Sequence, residues 1–166
     1  MATFKVVAWN CGVLRDTAVS QNKAFFFEMD YKNDFDAAFF VETHHKDDTD
    51  FPKQILRFEK THHIIHSPVG LNETHAGIIG LISHDYEILE QKELVRGRIL
   101  NVKIHRKSDK RKRSLTAVYL PTNNKLDRDF MQKIVSKLRE EVGENEIILG
   151  DFNFVDNEND KKKWFI

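Results

Sequence analysis

Five polar residues stand where apolar segments of this sequence end, at points where a strand would present its side chain at the edge of a sheet. They are Asn10, Glu42, Tyr119, Asp151 and Asn153. All five carry oxygen atoms that can bind a metal or hydrogen-bond a phosphate. If the strands lie in facing sheets, these ends converge, and such hard ligands without cysteine suit Mg²⁺ or Mn²⁺ better than zinc. A metal held there would neutralise phosphoryl oxygens while a carboxylate aligns water.

Each of these positions, taken singly, is more simply read as the start of a solvated loop. The order of segments along the chain decides whether they can act together. Alternating or continuous apolar runs predict eight strands, at 4–9, 35–41, 62–66, 76–83, 86–94, 98–105, 115–120 and 146–149. Helices are predicted from Asp16 or Thr17 to about residue 30, over 51–60 and over 126–142. Asp50 is the expected N-cap of the second helix, and Pro52 is compatible with its first turn.

The order of these elements indicates the architecture. A strand, a helix and a buried strand at the start predict a βαβ unit. The short strands from residue 62 onward predict a mostly antiparallel meander. In the last helix Phe130, Ile134, Leu138 and Val142 form one stripe, and Gly143 stops it. The fold class is therefore α/β or α+β, as a sandwich.

Composition limits the alternatives. The chain has 166 residues, which suits a single domain over 1–166 and leaves too little for two ordinary ones. Lys+Arg and Asp+Glu are 26 each, so a wholly basic nucleic-acid coat and an acidic tail protein are excluded. One cysteine favours a reducing compartment, and neither a bilayer-spanning run nor a secretory signal is seen. We therefore expect an intracellular protein, cytoplasmic or nuclear.

Five strings occur in an order that is typical of one protein superfamily. They are Val7-Ala8-Trp9-Asn10-Cys11, Phe40-Val41-Glu42-Thr43-His44, Ala76-Gly77-Ile78-Ile79-Gly80-Leu81, Val118-Tyr119-Leu120-Pro121 and Leu149-Gly150-Asp151-Phe152-Asn153-Phe154. The chain thereby resembles the endonuclease/exonuclease/phosphatase superfamily. That superfamily includes deoxyribonuclease I, apurinic/apyrimidinic endonucleases, inositol polyphosphate phosphatases and the endonuclease domains of LINE-type non-LTR retrotransposons. The Glu-Thr-His and Gly-Asp-Phe-Asn-Phe-Val strings look most like the retrotransposon branch.

The resemblance implies a four-layer sandwich of two facing mixed β-sheets with outer helices, and a role for each of the five residues. It makes Glu42 the principal ligand of Mg²⁺ or Mn²⁺, with Asn10 beside it. Tyr119 would approach the scissile phosphate. Asp151 would orient or activate the attacking water, and Asn153 would hold the phosphate or that aspartate.

Several positions depart from the superfamily pattern. Gly12 stands where an Asn or Asp is frequent, and Thr122 stands where an Asn is usual, so Asn123 or Asn124 would have to substitute. The terminal Asp-His pair has no counterpart, because all 8 histidines lie at or before His105. We therefore expect a domain that lacks the superfamily's C-terminal part, with an incomplete second sheet and an open edge near residues 147–154. A downstream reverse-transcriptase region or a partner chain would complete it.

A cationic segment over residues 103–113 precedes the seventh predicted strand. Its candidate substrate contacts are Arg106, Lys107, Lys110 and Arg111. Such a cluster binds phosphate backbones, with DNA the expected partner, but it is equally a solvated turn or a chance localisation-like string.

Histidines at 44, 45, 62, 63 and 66 lack the spacing of a zinc site, because neighbouring residues of a strand point to opposite faces. Only His44 is a candidate stand-in acid at the rim of the site. Cys11 is expected to be a small buried residue.

Three functions remain open. The first is a Mg²⁺-dependent phosphodiesterase, a DNA-nicking endonuclease of retrotransposon type. The second is a catalytically dead remnant of the same fold. The third is a phosphatase acting on a small phosphorylated substrate, since fold alone does not fix the substrate.

Overall fold

The protein is an α+β sandwich of two mixed four-stranded sheets. The structure, a computed structural model, describes residues 3–12, 14, 35–47, 51–70, 73, 75–120, 128–141, 143 and 146–153. The strands are β1 (Val6–Asn10), β2 (Ala37–Val41), β3 (His62–Ser67), β4 (Ile78–Ser83), β5 (Tyr86–Val95), β6 (Ile99–Arg106), β7 (Lys112–Tyr119) and β8 (Glu146–Asp151). Their orders are β1-β2-β4-β3 in the first sheet and β5-β6-β7-β8 in the second.

Each sheet contains one parallel pair. In the first, β1 runs parallel to β2, which confirms the parallel pairing expected of a βαβ unit; its predicted helix lies outside the described residues. In the second, β7 runs parallel to β8, and α2 (Arg128–Glu141) connects them. The other pairs are antiparallel, but the predicted meander is divided, because β3 and β4 pair in one sheet and β5, β6 and β7 in the other.

Three apolar clusters hold four layers together, as expected. The largest lies between the sheets, where β2, β4, β6 and β7 each contribute alternate residues such as Phe39 and Val102. The intervening residues of the first sheet, such as Phe40, pack outward against Ile55 and Phe58. On the outer side of the second sheet, Ile134 of α2 packs with Ile99 and Val118, which come from β6 and β7.

The helix predicted over 51–60 is divided into α1 (Lys53–Leu56) and a 3₁₀ turn (Arg57–Lys60). Ile55 of α1 and Phe58 of the 3₁₀ turn are both buried in the same apolar cluster. Pro52 stands at the N-cap with no side-chain cap, and the expected Asp50 cap lies outside the described residues. No helix among the described residues is long and apolar enough to cross a membrane.

Strand β8 is longer than predicted and forms an outer strand of its sheet. Its pairing with β7 continues to Tyr119 and Asp151, so Asp151 is the last strand residue rather than the first loop residue. The side chains of Ile148 and Phe152 are 40% and 42% exposed, which agrees with the apolar edge expected there. Gly150 has φ 136°, and an added Cβ would meet the Val118 carbonyl oxygen at 2.0 Å, so only glycine fits this approach.

Candidate active site

The carboxyl ends of two parallel pairs meet at one side of the sandwich. Asn10 ends β1, Asp151 ends β8, and these two strands lie against each other across the two sheets. The Asn10 side-chain amide donates a hydrogen bond of 2.6 Å to Asp151 Oδ2, although 141 positions separate the residues in sequence. The predicted convergence of strand ends is therefore present in the fold for this pair.

The Asp151 carboxylate is held on both of its oxygens. Its second oxygen, Oδ1, accepts the backbone N–H of Asn153 at 2.9 Å. The Asn153 side-chain amide in turn donates to the Leu120 carbonyl at 2.5 Å, which ties the end of β8 to the end of β7. Asn10 is fixed as well, because its side-chain oxygen accepts the backbone N–H of Gly12 at 2.8 Å. These hydrogen bonds give the carboxylate a defined orientation.

Glu42 and Tyr119 form the second half of the site. The Tyr119 hydroxyl donates a hydrogen bond to the Glu42 carboxylate. Burial raises the pKa of Tyr119 well above its ordinary value, and the charge of Glu42 and this hydrogen bond raise it further. Tyr119 is therefore a neutral hydrogen-bond donor at physiological pH. Glu42 has φ 60°, an uncommon backbone conformation for a residue with a side chain, and such residues concentrate at functional sites.

Two histidines stand beside the Glu42 carboxylate. Glu42, His44 and His75 each place one potential ligand atom within 4.8 Å of the others, and they are the one such metal-binding group among the described residues. His44 Nε2 lies 3.7 Å from Glu42 Oε1, and the His44 and His75 rings meet edge to face at 5.0 Å. One carboxylate with two imidazoles is a donor set that fits a divalent cation. Asn10, the other predicted ligand, donates its side-chain N–H to Asp151 and accepts the Gly12 N–H on the oxygen that would face a metal.

Sequence reasoning missed Arg98, Glu73 and His75. The buried Arg98 guanidinium forms an ion pair of 3.0 Å with Glu73 and donates to the His75 carbonyl at 2.8 Å. It also lies over the Tyr119 ring, 4.9 Å from its centroid. One arginine thus connects the loop that carries His75 with the tyrosine of the site. The available signal was a charged residue directly before the apolar strand β6.

The comparison with solved structures identifies the fold. No family model and no curated protein matches the sequence. Among solved structures, the endonuclease domain of TRAS1, a telomere-specific non-LTR retrotransposon, superposes with a TM-score of 0.63 at 16% identity, covering 92% of this chain and 62% of that one. An endonuclease/exonuclease/phosphatase family protein from Bacteroides thetaiotaomicron gives 0.59 at 16%, over 95% of this chain and 66% of that one. The chain has the endonuclease/exonuclease/phosphatase fold. ANGEL2, a 2′,3′-cyclic phosphatase, shares it with a TM-score of 0.67 at 14% identity over 92% of this chain.

The chain spans between about half and two thirds of the length of these structures, namely 62%, 66% and 54%. In this chain the five predicted residues lie at or directly after four strand ends, two in each sheet. Cys11 lies behind this rim and is buried, as expected. Burial, and secondarily the charge of Glu42, raise the pKa of its thiol, so Cys11 is a neutral thiol rather than a nucleophile.

The structure does not bring the cationic residues to this site. Arg106 ends β6, and Lys107, Lys110 and Arg111 form the turn before β7. Tyr119 is at the other end of β7, so this turn lies about 23 Å away at a normal strand rise. The Arg111 guanidinium pairs with Asp109 at 3.2 Å, and the Lys107 backbone N–H donates to the Asp85 carbonyl. Asn123 lies outside the described residues.

Proposed function

We propose that this protein is a metal-dependent phosphodiesterase that nicks DNA. The observation that carries the proposal is the hydrogen bond of 2.6 Å that joins Asn10 of one sheet to Asp151 of the other, beside the bonded pair Glu42 and Tyr119. It assembles a carboxylate pair, an amide and a phenol at one rim. The fold is shared with a retrotransposon endonuclease and a cyclic phosphatase, both of which act on phosphate esters.

In this proposal each residue has a separate task. Mg²⁺ or Mn²⁺ bound at Glu42 would neutralise charge on the phosphoryl oxygens. Asp151, oriented by Asn10 and by the Asn153 backbone, positions the water for in-line attack. The Tyr119 hydroxyl, kept protonated by its surroundings, donates a hydrogen bond to a phosphate oxygen. Asn153 holds this arrangement against the end of β7.

A DNA substrate would explain the cationic turn. Phosphates repeat every 3.4 Å along one strand, so a duplex that reaches from Tyr119 to the turn covers about seven base pairs. Arg106, Lys107, Lys110 and Arg111 would then contact the backbone away from the scissile bond, and Asn123 stays a predicted substrate contact. Buried Cys11 is compatible with a reducing compartment, and we place the protein in the cytoplasm or nucleus.

The test is the nicking of supercoiled plasmid in the presence of Mg²⁺. We expect Glu42→Gln and Asp151→Asn each to lower the nicking rate by about a hundredfold or more, because each removes a charge that acts in the transition state. Glu59→Gln, on the exposed surface of the 3₁₀ turn, is the matched control and should nick like the wild type. Nicking that survives both site substitutions would contradict the assignment.

The distance of the cationic turn favours a second candidate, a phosphatase for a small phosphorylated substrate. Among the described residues, the cations of this turn do not adjoin the site, so nothing there requires a polymer. Hydrolysis of a 2′,3′-cyclic nucleotide without plasmid nicking would support this candidate. A folded wild-type protein that turns over neither substrate would support the catalytically dead alternative.

A further inference from the structure

We infer that His44 and His75 are metal ligands together with Glu42, so that this site takes a divalent first-row transition ion, Mn²⁺ included, in preference to Mg²⁺. The inference rests on the proposed function for its location and concerns the identity of the metal. It begins with the backbone. The His44 N–H donates to the Ala76 carbonyl at 2.8 Å, and the Thr43 N–H donates to the Gly77 carbonyl at 3.2 Å. Two loops are thereby paired, and each contributes one histidine to the same point.

The donor atoms have nearly the separation that one ion requires. Metal–ligand bonds of about 2.1 Å put neighbouring ligands about 3.0 Å apart at right angles and about 3.4 Å apart in a tetrahedron. His44 Nε2 and Glu42 Oε1 are 3.7 Å apart, so closure needs a shift of only a few tenths of an ångström. The His75 ligand atom lies within 4.8 Å of the other two, so a movement of up to about 1.5 Å of this exposed side chain would bring it to a bonding position.

The backbone that carries these ligands is held in place. The His75 carbonyl accepts a hydrogen bond from Arg98, whose guanidinium is paired with Glu73 and lies over the Tyr119 ring. Gly77 allows the two loops to approach, since an added Cβ would lie 2.5 Å from Thr43 Oγ1. The arginine that holds the backbone of His75 therefore also contacts Tyr119, whose pKa is raised by the charge of Glu42.

The chemistry of the donors determines the choice of metal. Mg²⁺ is a hard ion that takes oxygen ligands and keeps several waters. Imidazole nitrogen suits first-row transition ions, whose affinity for nitrogen donors exceeds that of Mg²⁺. A site with two imidazoles and one carboxylate therefore discriminates in favour of the transition ion, whereas a site of Glu42 and Asn10 alone would not.

The experiment uses Mn²⁺ alone as the probe, on the full chain and without DNA. Electron spin-echo spectroscopy of bound Mn²⁺ reports directly on coordinated nitrogen, and the free Mn²⁺ signal gives the affinity. We expect nitrogen coupling in the wild type and a loss of at least about tenfold in Mn²⁺ affinity in His75→Gln. Mg²⁺, measured by displacement of Mn²⁺, should change by less than about threefold. His44→Gln is the second variant, and combining the two should abolish the coupling.

His84→Gln is the matched control, since His84 follows β4 at the end opposite to the site. It should keep both the coupling and the affinity. Bound Mn²⁺ without nitrogen coupling in the wild type, or coupling that persists in the double variant, would overturn the inference. Nicking with Mg²⁺ by a protein that shows no nitrogen coupling would support the proposed function and contradict this inference. Nitrogen coupling in a protein that does not nick DNA would support this inference and contradict the proposed function.

Discussion

The hydrogen bond between Asn10 and Asp151 can be measured as a coupling energy between the two sheets. The bond is 2.6 Å long and its acceptor is a carboxylate, and such charge-assisted bonds contribute about 1.5–3 kcal/mol when well shielded. Asn10 is exposed and Asp151 is half-buried, so solvent screening puts the expected coupling below this range, at about 1 kcal/mol.

The coupling would be seen in a double-mutant cycle of Asn10→Ala and Asp151→Ala, followed by urea and thermal unfolding. Unfolding entropy is about 2.1 cal/mol/K per residue, so for 166 residues 1 kcal/mol corresponds to about 3 °C in Tm. Each single variant also loses a bond to the backbone, of Gly12 or Asn153, and the cycle subtracts those losses. We therefore expect the double variant to be about 1 kcal/mol more stable than the sum of the single effects predicts.

The control cycle combines Asn10→Ala with Glu87→Ala, since Glu87 pairs with β6 near the cationic turn, far from β1. Those two effects should add within the experimental error. A coupling between Asn10 and Asp151 below about 0.3 kcal/mol, no larger than that of the control pair, would refute the reasoning. The site would then be two separate loop ends, not one constellation that bridges the sheets.

Three further predictions concern the supports of the site and the stability of the fold. Gly77→Ala should lower the free energy of unfolding in urea by about 1–3 kcal/mol, because Gly77 has a φ of 102° and an added Cβ would lie 2.5 Å from Thr43 Oγ1. A variant as stable as the wild type would contradict this. Arg98→Lys should lower the nicking rate, because one ammonium cannot both donate to the His75 carbonyl and cover the Tyr119 ring. Its circular dichroism spectrum should match that of the wild type. An unchanged nicking rate would refute the supporting role of Arg98. Burial lowers the pKa of His62, so as the pH drops through 6.5 the unfolded state binds more protons than the folded state, and the free energy of unfolding should decrease as the pH is lowered. In His62→Phe the free energy of unfolding should depend less on pH between pH 7.5 and 5 than in the wild type. An unchanged dependence would mean that other groups cause it.

Much of this fold could be predicted from local patterns. The period-two alternation in β6, the continuous apolar run in β2 and the stripe in α2 each fix an element without reference to distant residues. Errors occurred where tertiary pairing extends an element. β7 begins at Lys112, inside a segment that resembles a cationic loop, because Ile104 and its neighbours pair with it. β8 reaches Asp151 because β7 supplies partners up to that residue.

The sequence by itself determined which polar residues end strands, and hence that Asn10, Glu42, Tyr119 and Asp151 belong to the ends of β1, β2, β7 and β8. Where a strand ends and which of its side chains alternate are local properties, so the sequence pattern is sufficient to predict which residues end strands. Which ends touch is not local, because the contact of Asn10 with Asp151 depends on how two sheets pack across 141 positions. The same packing brought His75 beside Glu42, whereas the cationic turn lies at the far end of β7 because it precedes that strand in sequence. Only the tertiary structure could decide those placements, since they arise from the shared apolar layer between the sheets and from no pattern along the chain.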